Sequence, residues 1–328
     1  NLKQLVSTVV ELQPSMPEPV AEKAGELMRR ALDVFAPAEA TVNCLGALLD
    51  AKRSAKWVFR KEDTLSLHCA PLEGSDVLTP LLWKNPRALS SVMVSATLRD
   101  VGGFSRFASK AGLPGNTQFK VLPYTFPYAK SRLTVAAMKN TPKPAERREF
   151  YPELARKLPQ AINPAEGTLV IFPSWAMLRE FAPRLRERFG VRVRVQGDVP
   201  VRLLVRDHKR AMDSGEGSIL VGVATLSEGL DLPGHYCTHV VVVALPFAVP
   251  TDPVEQELAE ILGQRYFSER SLPDAMVRLT QIVGRLLRRE TDQGRVTVFD
   301  RRLASTSYGR QMLKSLPPFS KEVAPLES

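Results

Sequence analysis

The chain has 328 residues, which suits about two domains and a sizeable core. Its 44% hydrophobic and 24% charged content is ordinary for a globular protein, and its longest apolar run, Val240 to Val249, is interrupted by Pro246 and far short of the roughly 18 residues a membrane helix needs. Lys and Arg number 45 against 35 Asp and Glu, with an isoelectric point near 9.6, and that excess favours a polyanionic partner such as nucleic acid, although basic surfaces also serve solubility.

Residues 1 to about 55 read as helical: Val20 to Phe35 carries apolar residues at three- and four-residue steps, Pro37 marks a break, and Ala38 to Ala51 continues in short helical pieces. From Trp57 the texture changes. Trp57-Val-Phe-Arg and Thr64 to Cys69 alternate as strands do, Asp76 to Trp83 suits a short helix, and Ser90 to Ser95 forms a compact apolar strand. Gly102, Gly103, Gly112, Pro114, Gly115, Pro123 and Pro127 make residues 99–130 a connection between domains.

Strands are then expected at Leu133–Met138, Thr168–Phe172, Val191–Gln196, Ser218–Val223, His239–Leu245 and Arg295–Asp300. Helices are expected at Ser174–Phe189, Val201–Met212, Pro253–Arg265, Pro273–Glu290 and Ser307–Ser315, with an exposed Pro- and charge-rich loop from Asn140 to Arg148. This order predicts an α/β fold with a doubly wound, mainly parallel sheet, in which ligands bind at the C-terminal ends of the strands.

Cys44, Cys69 and Cys237 stand far apart without C-x-x-C spacing. His235, Cys237 and His239 lie close together but lead into an apolar strand without a fourth ligand, so no metal site is expected in this chain. Three lone cysteines fit a reducing cytoplasm. The chain opens on Asn1 without a basic-then-apolar leader, which reads as a fragment or a processed chain.

Three stretches carry chemistry. On a helix, Gln281, Arg285 and Arg288 would share a stripe with Gly284 at its edge, opposite Ile282, Val283, Leu286 and Leu287. Two guanidinium forks suit a phosphate chain, although an amphipathic surface helix would show the same pattern. After the strand Ser218–Val223, the turn Thr225-Leu-Ser-Glu-Gly-Leu-Asp-Leu-Pro-Gly234 offers Asp231 as an acceptor and Gly229 as a flexible point; a simple cap or turn would use the same residues. Val94-Ser-Ala-Thr-Leu98 places two small hydroxyl residues at a strand end, where they suit a bridge between domains or a plain turn.

Taken in order, these pieces resemble superfamily 2 helicases of the DinG/XPD branch over about residues 57–315. Val94–Leu98 resembles motif III, Thr168-Leu-Val-Ile-Phe-Pro-Ser174 motif IV, Ser227–Gly234 motif V, and Gln281–Arg288 with Glu290-Thr-Asp motif VI; Val298-Phe-Asp-Arg-Arg-Leu303 is like the strand and turn that follow. The resemblance implies a helical segment over 1–55 at the end of an arch-like insertion, the C-terminal part of a first RecA-like motor domain over 56–110, and a second RecA-like motor domain over 111–328. Two features of the family are absent from these 328 residues: the G-x-x-x-x-G-K-[ST] phosphate loop and a D-E-A-H box. In the family both precede the arch, as do the four cysteines of an iron–sulfur cluster, so the resemblance implies that this chain by itself binds ATP poorly and hydrolyses none. Leu226 and Ser227 also stand where family members often carry an aromatic on the DNA path, a departure from the family pattern.

What the resemblance implies is ATP and Mg2+ in a cleft shared with the first motor domain, with Arg285 and Arg288 as arginine fingers and Gln281 sensing the nucleotide. Glu228, Gly229, Asp231 and Gly284 would lie by the nucleotide, and Ser95 and Thr97 would couple hydrolysis to domain movement. Ser174, Gln196 and Thr225 would hold single-stranded DNA by its backbone, with 5′-to-3′ movement. Partners would be single-stranded DNA and either DNA-repair proteins or a CRISPR ribonucleoprotein. Two further readings are a catalytically inactive scaffold, which has no use for a γ-phosphate sensor, and an unrelated nucleotide-binding enzyme, which needs a G-x-G-x-x-G after a strand that the sequence lacks.

Overall fold

The computed structural model describes residues 8, 11, 13–49, 54–62, 64–84, 90–100, 103–123, 126–248 and 252–323; residues 1–7 and Gly102 of the sequence reading lie outside them. Residues 1–80 with 250–261 form one compact unit and residues 81–249 with 262–328 a second.

In the first unit, helix α1 spans Glu18–Leu49 and packs on an antiparallel hairpin of β1 (Ser54–Lys61) and β2 (Thr64–Pro71). Trp57 stacks on His68 across the hairpin, with ring centroids 5.2 Å apart. The break expected at Pro37 does not occur. A proline deletes one N–H, and its flanks here, Ala31, Ala36, Ala38 and Ala40, are the strongest of helix formers.

The second unit is built on a seven-stranded sheet in the order β5-β6-β4-β7-β8-β3-β9. Its strands are β3 (Arg132–Val135), β4 (Gly167–Phe172), β5 (Val193–Val195), β6 (Ser218–Val223), β7 (His239–Val242), β8 (Arg295–Val298) and β9 (Ser320–Val323). Every pairing is parallel, so crossover helices cover both faces and the central strands are apolar on both sides. Leu169 and Ile171 of β4 point to one core with Val240, Val242, Val296 and Val298, while Val170 and Phe172 point to the other. The chain runs from β4 outward to β5 and β6 and then returns to β7 on the opposite side of β4. That reversal opens a crevice at the C-terminal strand ends, where such sheets bind ligands.

The longer helices of this unit are α2 (Ser105–Ala111), α3 (Arg147–Ala161), α4 (Trp175–Phe189), α5 (Val201–Asp213), α7 (Leu272–Val283) and α8 (Ser307–Ser315); α6 (Pro253–Leu262) lies between α5 and α7 in the chain and belongs to the first unit as far as Ile261. Helices α3 and α4 cover one core with Phe150, Leu154, Leu158, Phe181 and Leu185, and α7 covers the other with Ala275, Leu279 and Ile282.

Two expectations are corrected, and helix α3 falls where no element was expected. Its register is set by Phe150, Leu154 and Leu158, four residues apart and fully buried. The neighbouring loop is anchored rather than simply exposed: Thr141 is buried and its N–H donates to Glu146 at 2.7 Å, while the Lys139 and Asn140 amides donate to Glu153. Ser90–Ser95 forms no strand. Val92 and Val94 are 88% and 84% exposed, and no strand among the described residues pairs with the segment to satisfy its amides and carbonyls.

Candidate functional site

The helix expected over Pro273–Glu290 ends instead at Val283, and this end shapes the site. The Arg285 amide donates three residues back to Ile282 at 3.1 Å and the Leu286 amide to Val283 at 3.2 Å, a tightening typical of a helix terminus. Buried Asp292 then takes over as acceptor: its Oδ2 receives the Arg288 amide at 2.8 Å and the Arg289 amide at 2.9 Å. Its Oδ1 receives the Gly234 amide at 3.1 Å, so one carboxylate ties this turn to the segment after β6. Leu286 and Leu287 are buried beneath the turn. Arg285 and Arg288 therefore converge through a turn, not along a helical stripe.

Both arginines aim at one carbonyl. Arg285 Nη1 donates to Leu230 O at 3.2 Å, and Arg288 Nη2 donates to the same oxygen. Arg288 Nε lies 3.8 Å from Asp231 Oδ1. The Nε atoms of both arginines are buried without a hydrogen-bond partner among the described residues. Burial, and then the adjacent Arg288, lower the Arg285 guanidinium below its usual range, while Glu228 and Asp231 oppose that shift. Two half-buried like charges that share a neutral oxygen and keep orphaned donors make a site complementary to an anion.

The segment after β6 presents its polar residues by alternation. Leu226, Leu230 and Leu232 are buried, which leaves Glu228, Gly229 and Asp231 exposed between them. Gly229 has φ +74°, and a Cβ there would meet nothing within 4 Å, so the backbone angle rather than crowding favours glycine. Gly284 is different: with φ −65° and ψ −12° it caps α7 in an ordinary right-handed conformation.

Gln281, on the last turn of α7, donates through Nε2 to Thr97 Oγ1 at 3.2 Å, and Thr97 Oγ1 is 3.2 Å from Ser95 Oγ. The hydroxyl pair thus meets the arginine-bearing segment within this unit. At the adjacent strand ends, Gln196 Nε2 donates to Thr225 Oγ1 at 3.1 Å, and Gln196 Oε1 accepts the Val223 amide at 2.9 Å. A Cβ on Gly222 would lie 2.4 Å from Leu226 and 2.6 Å from Gln196 Oε1, so glycine at this position makes room for both. Ser174, at the end of β4, caps α4 by accepting the Met177 amide at 3.3 Å; it shares the ledge with Gln196 and Thr225 without bonding to either.

Asp292 falls within the Glu290-Thr-Asp stretch, but its task is not legible there, because its partner at Gly234 is 58 positions away. Asp300, fully buried, and Arg302 fall in the Val298–Leu303 stretch, which gave them no role: Asp300 accepts the Leu245 amide at 2.9 Å and holds Arg302 Nε at 2.8 Å, with the guanidinium 5.6 Å over the Phe247 ring. The Cys237–His239 cluster is engaged internally. His239 Nε2 pairs with Thr297 Oγ1 at 2.9 Å, and burial lowers its pKa to about 3 and raises the Cys237 thiol to about 12.

The helicase C-terminal domain family matches residues 157–319. An ATP-dependent DNA helicase DinG from Photobacterium profundum is 35% identical over 281 residues, covering 82% of this chain and 40% of the relative. A DinG from Salmonella typhimurium is 30% identical over 347 residues, covering 98% of this chain and 48% of the relative. The chain thus spans somewhat under half the length of these relatives. Among solved structures, an XPD helicase superimposes with a TM-score of 0.58 at 19% identity, over 96% of this chain and 55% of that one, a likeness of fold. No helix among the described residues is long and apolar enough to cross a membrane. With a RecA-like parallel sheet, a helicase C-terminal domain and DinG relatives aligned along most of its length, the chain belongs to the DinG/XPD helicases, of which it carries a C-terminal portion.

Proposed function

We propose that this chain supplies motifs III to VI of an ATP-dependent DNA helicase that moves 5′ to 3′ on single-stranded DNA. The observation that carries the reading is the pair Arg285 and Arg288, half-buried, converging on Leu230 O and each holding an orphaned Nε. A triphosphate approaching that turn supplies the hydrogen-bond acceptors that the two Nε atoms lack; in this role the two are arginine fingers that stabilise charge on the departing phosphoryl group. Glu228, Gly229, Asp231 and Gly284 flank that position. Mg2+ would be shared between the nucleotide and the first motor domain, as the family resemblance implies.

Gln281, bonded to Thr97, links the arginine turn to Ser95 and Thr97, a short route by which nucleotide state reaches the neighbouring domain. Ser174, Gln196 and Thr225 form a polar ledge at the ends of β4, β5 and β6, suited to phosphate contacts that do not discriminate sequence. In this reading residues 56–110 end the first motor domain, the apolar Ser90–Ser95 segment docks into that domain's sheet, and 111–328 form the second. The setting is cytoplasmic, in DNA repair or beside a CRISPR ribonucleoprotein.

Strand displacement by the full-length protein tests the reading. With ATP it should release the complement from a duplex bearing a 5′ single-stranded tail and leave a 3′-tailed duplex intact. Failure on both substrates would overturn the helicase assignment, and release of the 3′-tailed duplex alone would reverse the polarity.

A further inference from the structure

A surface cavity of about 890 Å³ lies between α3 and α4 and is lined by Arg147, Arg148, Arg156 and Arg184 against a single carboxylate, Glu180. Glu180 is committed to Arg184 at 3.6 Å, whereas Arg147, Arg148 and Arg156 carry no ion pair among the described residues. Arg148 and Arg156 stand eight residues apart on α3, about 12 Å at 1.5 Å per residue. Tyr151 lies between them, held edge-on against Phe181 at 5.4 Å.

A second cavity of about 580 Å³ shares Arg147 and Tyr151 with the first and reaches Ser174. Its far wall is aromatic. Phe247, Phe267 and Tyr308 form a triangle with centroid separations of 5.8, 5.9 and 5.3 Å, and Phe267 remains 43% exposed. Arg302 backs Phe247 but is neutralised by Asp300, so it braces the ring rather than offering a free charge. Lys143 adds a further cation at the mouth. Uncompensated guanidiniums in a row, leading to exposed ring faces, match the chemistry of a single-stranded polynucleotide: phosphates along the arginines and bases on the rings.

We propose that this groove extends the Ser174–Gln196–Thr225 ledge as a track for single-stranded nucleic acid across α3 and α4. The inference rests on the nucleic-acid reading above and adds Arg147, Arg148, Arg156, Phe267 and Tyr308 to the residues that contact the strand. Duplex nucleic acid fits less well, because paired bases cannot lie on the aromatic wall.

Fluorescence anisotropy with 5′-labelled oligo-dT of increasing length tests the track on the full chain. Affinity should keep rising with length beyond what the ledge holds, and R148E/R156E should bind long oligo-dT at least tenfold more weakly. The slope of log K against log salt should become shallower by about 1.4, at roughly 0.7 for each of two single-strand phosphates no longer neutralised. F267A should lose roughly fivefold to a hundredfold, the range for one stacked base. Thermal melts confirm that each variant is folded. If the parent binds and R148E/R156E matches it in affinity and salt slope, the track is wrong and the ledge survives, with an acidic protein segment the alternative occupant of the groove. If the parent binds no oligo-dT, the nucleic-acid reading falls first and takes the track with it.

Discussion

Asp292 is the residue on which the geometry of the arginine pair turns. Its carboxylate serves three amides, two in the turn that carries Arg288 and one at Gly234. Hydrogen bonds to a buried charged acceptor contribute about 1.5–3 kcal/mol each, and an amide oxygen at the same place keeps part of that. Asp292→Asn should therefore destabilise the chain by about 1–3 kcal/mol in urea unfolding, and should cut ATP turnover of the full-length protein more than tenfold. DNA binding without nucleotide should be unchanged, which separates mispositioned arginines from general unfolding; parent-level turnover would contradict the role. Gln281, Arg285 and Arg288 were legible in the sequence as a motif. The task of Asp292 was not, because it depends on a partner that only the fold brings near.

At the scale of elements, the parallel sheet was legible because strands buried on both faces are uniformly apolar, and Ser218–Val223 matches the sequence reading residue for residue. Helix ends were less so: periodicity continues through Leu286 and Leu287, whereas the capture of two amides by Asp292 stops the helix at Val283. Two buried histidines, His208 on α5 and His239 at the start of β7, add a pH response. His208 is fully buried, with Nδ1 2.8 Å from Ser218 Oγ and Nε2 2.7 Å from Tyr236 O; the carbonyl can only accept, so the neutral ring carries its proton on Nε2 and Nδ1 accepts from Ser218, whose oxygen also receives Arg194. Burial, opposed by the Tyr236 carbonyl, lowers the His208 pKa to about 4, and burial brings that of His239 to about 3. Both folded values lie below the roughly 6.5 of an unfolded histidine, so the unfolded chain takes up protons first as pH falls. Stability should be fully present above about pH 6.5 and decline below it, by on the order of 3 kcal/mol for His208 once pH passes its folded pKa. Urea midpoints at pH 7 and pH 5 measure this; equal midpoints would contradict neutral, buried histidines.

At the scale of the molecule, the net charge of +10 predicted a polyanionic partner but not where it would lie. The fold concentrates part of that charge on α3 and α4, and α3 lies in a stretch for which the sequence reading named no element. The proposed site, completed by a neighbouring domain, draws on the orphaned nitrogens of Arg285 and Arg288 and on the bond from Gln281 to Thr97. The central claim is that this turn faces the γ-phosphate of ATP bound by a first motor domain. DNA-stimulated ATP turnover of full-length Arg285→Ala tests it most directly. Turnover should fall by roughly a thousandfold or more, as when an arginine finger is removed, with single-stranded DNA affinity retained; turnover near the parent's level would show that Arg285 serves the fold and not the phosphate.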